Sequence, residues 1–429
     1  MKKFLIVVTS PMLMIVLVLA LIGAKHPESS QTIQPVQKQL AHFPQPPLSY
    51  KSDLDKELLE QEIQNYFRKA IQQNQIVGAS IAIVKCDSII YLGGYGNKNA
   101  ALNDQITEET VFRIGSVSKG FAGILTGIHV EEGLIDWEDK IIDHIPNFRL
   151  ASQAETKKVT LSHVLSHTSG LPYHSFTNLV EAGLPLTTIA NRFNEVRPLQ
   201  QAGTIYNYQN AIFALSGQIV EQVAGKPLKE VIKSKIFEPL QMNTASASYE
   251  ALQESSNVAL PHRRLYGKWK PQKINKKYFN AVAAGGVNAS ATDMAKWMKF
   301  LLGNNPDVMS SETMKEIFNP KIQVGGRRQY YQRWPGYSKS YYGLGWRVHN
   351  FLDKKSGESN KVIHHGGHVN SYRSEIAIFP ENDLGICILF NSPTKLARTV
   401  IPDIKQIIEN VTDIKKIDIT EETQEMNYF

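Results

Sequence analysis

The chain has 429 residues, of which 42% are hydrophobic, 20% charged and 9% aromatic. That is globular composition, and it excludes a collagen-like chain, a mostly disordered chain and a disulfide framework. The formal net charge of +7 is too modest to argue nucleic-acid binding, and no nucleic-acid module pattern accompanies it.

Met1-Lys2-Lys3 opens an almost unbroken apolar run from Phe4 to Ala24. Roughly 20 such residues span a bilayer as a helix. The two lysines predict a cytoplasmic N-terminus and an exported bulk. Residues 1–24 are therefore expected to be a signal peptide or a membrane anchor. Ile22 and Lys25 around Ala24 make a poor cleavage site and favour the anchor. Residues 25–55, rich in Gln and Pro, read as a solvated tether. The catalytic body is expected over 56–412.

Leu54, Leu58, Leu59, Ile63 and Phe67 recur at helical spacing. Ile76 to Lys85 and Ser88 to Leu92 then read as a strand pair. Helical patterns dominate from Ser116 to Leu302. Three more strands are expected over Lys361 to His364, Ser374 to Pro380 and Leu384 to Phe390. The turn between the last two is Pro380-Glu381-Asn382-Asp383. A helix over Thr399 to Val411 follows, then a polar tail over 413–429. The fold class is α+β. An antiparallel sheet flanked by helices comes from both chain ends (56–115 and 340–412). A mainly helical part (116–339) forms the other wall of a cleft. Cys86 and Cys387 lie outside any metal spacing and read as free thiols acting as small hydrophobes, with a disulfide as the alternative if the strands carrying them are neighbours. The basic stretch His262 to Lys277 reads as a solvated loop, with attraction to an anionic surface as the functional alternative.

Three short motifs carry chemistry. Ser116-Val117-Ser118-Lys119 puts an amine and a hydroxyl on one helical face. A desolvated, neutral amine can take the serine's proton, and a helix N-terminus suits a developing oxyanion. Tyr208-Gln209-Asn210 offers a phenol as general acid or base and an amide for a substrate. Tyr206-Asn207 is a competing register. His364-His365-Gly366-Gly367 lies on an edge-like strand that can pair with a peptide-like substrate.

The order and context of these stretches resemble the β-lactamase-related serine hydrolases. That family holds class C β-lactamases, D-alanyl-D-alanine carboxypeptidases and related esterases. The resemblance runs from about Glu57 to Glu409. It rests on Phe112 to Lys119, Val159 to Pro172, Gly203 to Asn210, Ala284-Gly285-Gly286-Val287 with Asp293, and Tyr342-Gly343-Leu344-Gly345-Trp346. It implies a β-lactamase/transpeptidase-like fold and acyl transfer. Ser116 would be the nucleophile, assisted by Lys119 and Tyr208. Asn210, His364, His365 and Gly366 would bind substrate, and the backbone N–H groups of Ser116 and Gly367 would hold the oxyanion. Where class C enzymes carry Lys-Thr-Gly, this chain has His364-His365-Gly366. Arg347 and Arg373 are candidate replacement partners for a substrate carboxylate. Asn370 stands where the family often has glycine. The implied substrate is a peptidoglycan-type peptide or a β-lactam, in the periplasm or cell envelope. An esterase and a catalytically silent envelope-binding protein on this fold are the alternatives. No cofactor or metal is expected. His163 and His167, four apart, are the nearest approach to a ligand pair.

Overall fold

A computed structural model describes residues 54–326, 328–352 and 357–425, with backbone alone over 413–425. The apolar run, and the tether apart from its last two residues, lie outside the described residues. Among the described residues no helix is long and apolar enough to cross a membrane.

The central element is an eight-stranded sheet: β1 (Gly78–Lys85), β2 (Ser88–Gly96), β3 (Ile322–Gln323), β4 (Tyr337–Tyr342), β5 (Arg347–Leu352), β6 (Ser359–Val369), β7 (Tyr372–Phe379) and β8 (Leu384–Phe390). Its order is β2-β1-β8-β7-β6-β5-β4-β3, and every neighbouring pair is antiparallel. β1 therefore pairs with the last strand of the chain, as the two-ended sheet requires. The five expected strands are present. β3, β4 and β5 extend the sheet on the far side of β6.

Helix α1 (Lys56–Gln72) starts where the Asp55 carboxylate accepts the Glu57 and Leu58 N–H groups, each at 3.0 Å. This is an N-cap that satisfies two otherwise orphaned donors. Leu59, Ile63 and Phe67, each four apart, are buried on one face of the sheet. The C-terminal helix, Val400–Glu425, covers the same face with Val400, Ile401, Ile404, Ile408 and Val411. Its backbone stays helical through much of the stretch expected as a tail.

The opposite face meets the helical region. There the helix α2 (Ser118–Glu131) is buried almost all round, as a core helix with no polar face must be. Helix α3 (Asn210–Ala224) packs beside it, and α4 (Ala291–Leu301) lies over the sheet. A side chain at Gly120 of α2 would fall on the Trp346 ring. Glycine there lets the Tyr342–Trp346 stretch close on α2, and so brings the start of β5 beside the N-terminus of α2.

Cys86 and Cys387 are free thiols. The basic stretch is not a loop throughout. His262–Leu265 and Lys268–Pro271 form a hairpin with a fully exposed Tyr266 at its tip.

Candidate active site

Ser116 sits in a single 3₁₀ turn, Gly115–Val117, which runs straight into α2. Gly115 has φ +54°, and a Cβ there would lie 2.8 Å from the His368 backbone nitrogen. The turn is thus wedged against the end of β6. Gly367 makes the reciprocal approach, since a side chain there would collide with the Ile114 carbonyl. Ser374 ties this contact by donating to the same carbonyl at 3.0 Å.

Lys119, one turn along, is fully buried. Its Nζ lies 2.7 Å from Asn210 Oδ1, 2.8 Å from the Ala284 carbonyl and 3.4 Å from Ser116 Oγ. A neutral amine has two N–H donors and one lone pair. With the amine neutral, its two donors meet the amide and carbonyl oxygens and the lone pair serves the Ser116 hydroxyl; protonated, its third N–H donates to Ser116 Oγ. Burial, and after it the Arg347 cation, hold the Lys119 pKa well below its ordinary value, because neither desolvation nor a like charge favours an ammonium.

The Tyr208 phenol is hydrogen-bonded to Ser116 and is almost fully buried. Burial pushes its pKa to about 12, opposed by the Arg347 cation and the Ser116 bond. It therefore stands protonated at neutral pH, as an acid rather than a phenolate base. Asn210 donates from Nδ2 to Tyr278 at 3.0 Å, which fixes the amide so that its oxygen faces Lys119. The competing register does not reach the serine. Asn207 instead donates to the Leu171 carbonyl at 3.0 Å.

β6 pairs with β5 only as far as His364 opposite Arg347, while β6 itself runs on to Val369. Beyond His364 that edge of β6 is open beside the Ser116 turn, so a substrate backbone can be added there. Strand alternation separates the two histidines. His365 meets Tyr342, whose hydroxyl lies 3.0 Å from His365 Nε2, and its ring is 6.4 Å from that of Tyr208. His364 points through the other face, to Glu375 and His349. His364 is thus not gathered with Ser116, Lys119 and Tyr208, and a direct substrate contact by its side chain is not what the geometry offers. Gly366 faces the same way as His364. Burial drives the His365 pKa well below its ordinary value, so no fixed charge stands at this point of the strand.

The charge comes from the next strand. The Arg347 guanidinium lies 5.6 Å from the Tyr208 ring centroid, 5.2 Å from that of Tyr331 and 6.0 Å from that of Tyr342. Its Nε has no hydrogen-bond partner among the described residues. Burial opposes its charge, but a guanidinium stays protonated in proteins, and here it lies among aromatic faces that favour a cation. Arg373, the other candidate, donates to Glu375 at 3.2 Å, and its Nε likewise has no partner among the described residues.

Sequence reasoning missed three groups. Ala284 acts through its carbonyl, which no side-chain motif reveals. Tyr278 acts from a distant loop. His167 lies under Tyr208, ring centroids 4.2 Å apart, and accepts the Gln209 N–H at 3.2 Å. It has φ +60° and stands past the end of the short Leu161–Leu165 helix, where His163 completes a capping box with Thr160. The two histidines therefore share no helical face. Asn370 and Ser371 both have positive φ, and Asn370 Oδ1 accepts the Asn275 N–H at 2.8 Å. The asparagine thus holds a left-handed bend, a conformation that asparagine tolerates better than most side chains.

Comparison with known proteins bears on the family and the fold. A family model described as Beta-lactamase matches residues 63–407. An unguisins hydrolase of Aspergillus campestris is 24% identical over 348 residues, covering 78% of this chain and 62% of that protein. Protein flp of Staphylococcus aureus is 23% identical over 360 residues, covering 82% of this chain and 67% of that protein. The chain thus spans about two thirds of the length of these relatives. Among solved structures, an octameric penicillin-binding protein homologue from Pyrococcus abyssi superposes with a TM-score of 0.69 at 25% identity. That match covers 80% of this chain and 76% of the other. The chain belongs to the beta-lactamase family and carries the fold of a serine hydrolase of that family.

Proposed function

We propose that the protein hydrolyses peptides ending in a free carboxylate, of the D-alanyl-D-alanine type, through an acyl-enzyme on Ser116, with β-lactams as mimics of that substrate. The Ser116 proton passes to the Lys119 lone pair as Oγ bonds to the carbonyl carbon. The oxyanion is held by the Ser116 N–H and a backbone N–H of the Gly367–His368 segment. On collapse the C–N bond breaks, and the leaving nitrogen takes a proton through Tyr208. Water then repeats the sequence on the ester. With the N-terminal apolar run acting as export signal or anchor, the substrate is a cell-envelope peptide.

The observation that supports the carboxylate preference is Arg347, a cation beside Tyr208 with an unpartnered Nε. A guanidinium in such a site pairs best with a planar carboxylate. Losing a charge-assisted pair costs about 1.5–3 kcal/mol, or roughly 10- to 150-fold. Arg347→Ala should therefore lower kcat/KM by about that factor on a carboxylate-terminated depsipeptide, and far less on a neutral aryl ester. Equal loss on both substrates contradicts the carboxylate reading and favours an esterase.

A further inference from the structure

Behind the catalytic face, β6 and β7 enclose a carboxylate that the mechanism above does not use. Glu375 is fully buried. Its Oε2 accepts from the Tyr330 hydroxyl at 2.7 Å and faces His364 Nε2 at 3.0 Å, while Oε1 accepts from Arg373 at 3.2 Å. His364 Nδ1 lies 3.1 Å from His349 Nε2, and His349 Nδ1 lies 2.8 Å from Ser340 Oγ. With Glu375 ionised, every proton has a place. Ser340 donates to His349, His349 to His364, and His364 to Glu375. Both imidazoles are neutral, and burial holds both well below the ordinary histidine pKa.

This chain of bonds ends under one short turn, Tyr330–Arg333, which joins the sheet ahead of β4. Tyr330 is tied to Glu375. Tyr331 stacks on His349, with centroids 4.5 Å apart and planes 28° apart. Gly366 is the gap through which the turn reaches the carboxylate, since a Cβ there would lie 2.5 Å from the Tyr330 hydroxyl and 2.9 Å from Glu375 Oε2. The other face of this arrangement meets the catalytic cleft, because Arg347 lies over the Tyr331 ring on one side and the Tyr208 ring on the other.

We propose that Glu375 is a positioning residue for substrate recognition. Through Tyr330 and the His364–His349 pair it seats the Tyr330–Arg333 turn, and through Tyr331 it fixes the Arg347 guanidinium where a substrate carboxylate docks. The inference rests on the carboxylate reading of Arg347. It gives Gly366 a task other than direct substrate contact. It also explains why a buried carboxylate, which is costly unless fully bonded, has donors from three segments.

The test is steady-state kinetics of the full chain on two substrates that both acylate Ser116, a carboxylate-terminated depsipeptide and a neutral aryl ester. Glu375→Ala should raise KM for the depsipeptide by about ten-fold, the scale of a small misplacement of a binding group. It should leave kcat for the neutral ester within about two-fold. Glu375→Gln, which can still accept from Tyr330 and bond His364, should recover most of the loss. Tyr330→Phe removes one hydroxyl and carries the same test if Glu375→Ala fails to fold. Equal loss on both substrates, or no KM change in Glu375→Ala and Tyr330→Phe alike, overturns the proposal. Arg347→Ala separates the two claims. If it is selective while the Glu375 and Tyr330 variants are not, the positioning role alone fails. If Arg347→Ala is unselective, the carboxylate reading fails and this inference with it.

Discussion

On β6, His365 meets Tyr342 and the cleft that holds Ser116, while His364, one residue earlier, meets His349 and Glu375 behind the sheet. The two residues are identical in type, both fully buried and both held neutral by burial. Their difference lies in what they face. The front side of the strand is left with an open edge beside the Ser116 turn, where the Lys119 amine stands within reach of the serine hydroxyl. The rear side runs as one chain of hydrogen bonds from Ser340 through His349 and His364 to Glu375. An open donor set suits chemistry and a closed one suits fixing geometry.

That contrast can be broken most severely at the base. Lys119→Arg puts a permanent cation in place of the neutral amine and removes the lone pair. It should lower kcat on any acylating substrate by about 10²- to 10⁴-fold, the usual worth of a general base, with circular dichroism unchanged. Near-normal acylation by this variant would show that a neutral amine is not required. Exchanging the histidines comes next. His365→Ala should lower acylation on every substrate. His364→Ala should instead cost stability, about 1–3 kcal/mol from orphaned buried partners, measured as a denaturation midpoint, and raise KM for carboxylate substrates first. If the two variants behave alike, the front and rear of β6 are not distinct in function.

The pH dependence sharpens the same comparison. Because Lys119 is held well below 10.5 and Tyr208 is pushed to about 12, kcat/KM should reach its plateau well below pH 10.5 and hold it until Tyr208 ionises. It should fall on the acid side as Lys119 takes a proton. Stability follows its own rule. His167, His349, His364 and His365 are all depressed from 6.5, so the unfolded chain binds protons that the folded one refuses. Their contribution is present above 6.5 and lost as pH falls below it, by about 1.4 kcal/mol per pH unit for each histidine. Glu375, raised to about 7 by burial, works in the opposite sense between about 7 and 4.5 and offsets one of the four. A denaturation midpoint that does not fall between pH 6.5 and 5 would contradict neutral burial of these histidines.

Much of this was legible in the chain itself. Ser116, Lys119, Tyr208 and Asn210 stand in short local motifs whose spacing survives folding, and β1, β7 and β8 are β-branched or apolar runs. The rest depended on long-range pairing. Tyr337–Tyr342 carries Ser-Lys-Ser-Tyr-Tyr, which has no clean alternation and gives no strand signal. Glu375 reaches His364 only because the β6–β7 hairpin sets it across from Gly366. The pair His364-His365 cannot announce which member faces the serine, since a one-residue shift in a strand exchanges its faces. Ala284 contributes a carbonyl, and a carbonyl has no sequence signature.

The central claim is that Ser116, activated by neutral Lys119, forms the acyl-enzyme. Intact-mass analysis after incubation with benzylpenicillin, on the native chain and on Ser116→Ala, tests it most directly. The account predicts a covalent adduct of the penicillin mass on the native chain, mapped to the Ser116 peptide, and none on Ser116→Ala. An adduct that persists on Ser116→Ala, or one on the native chain that maps elsewhere, contradicts it.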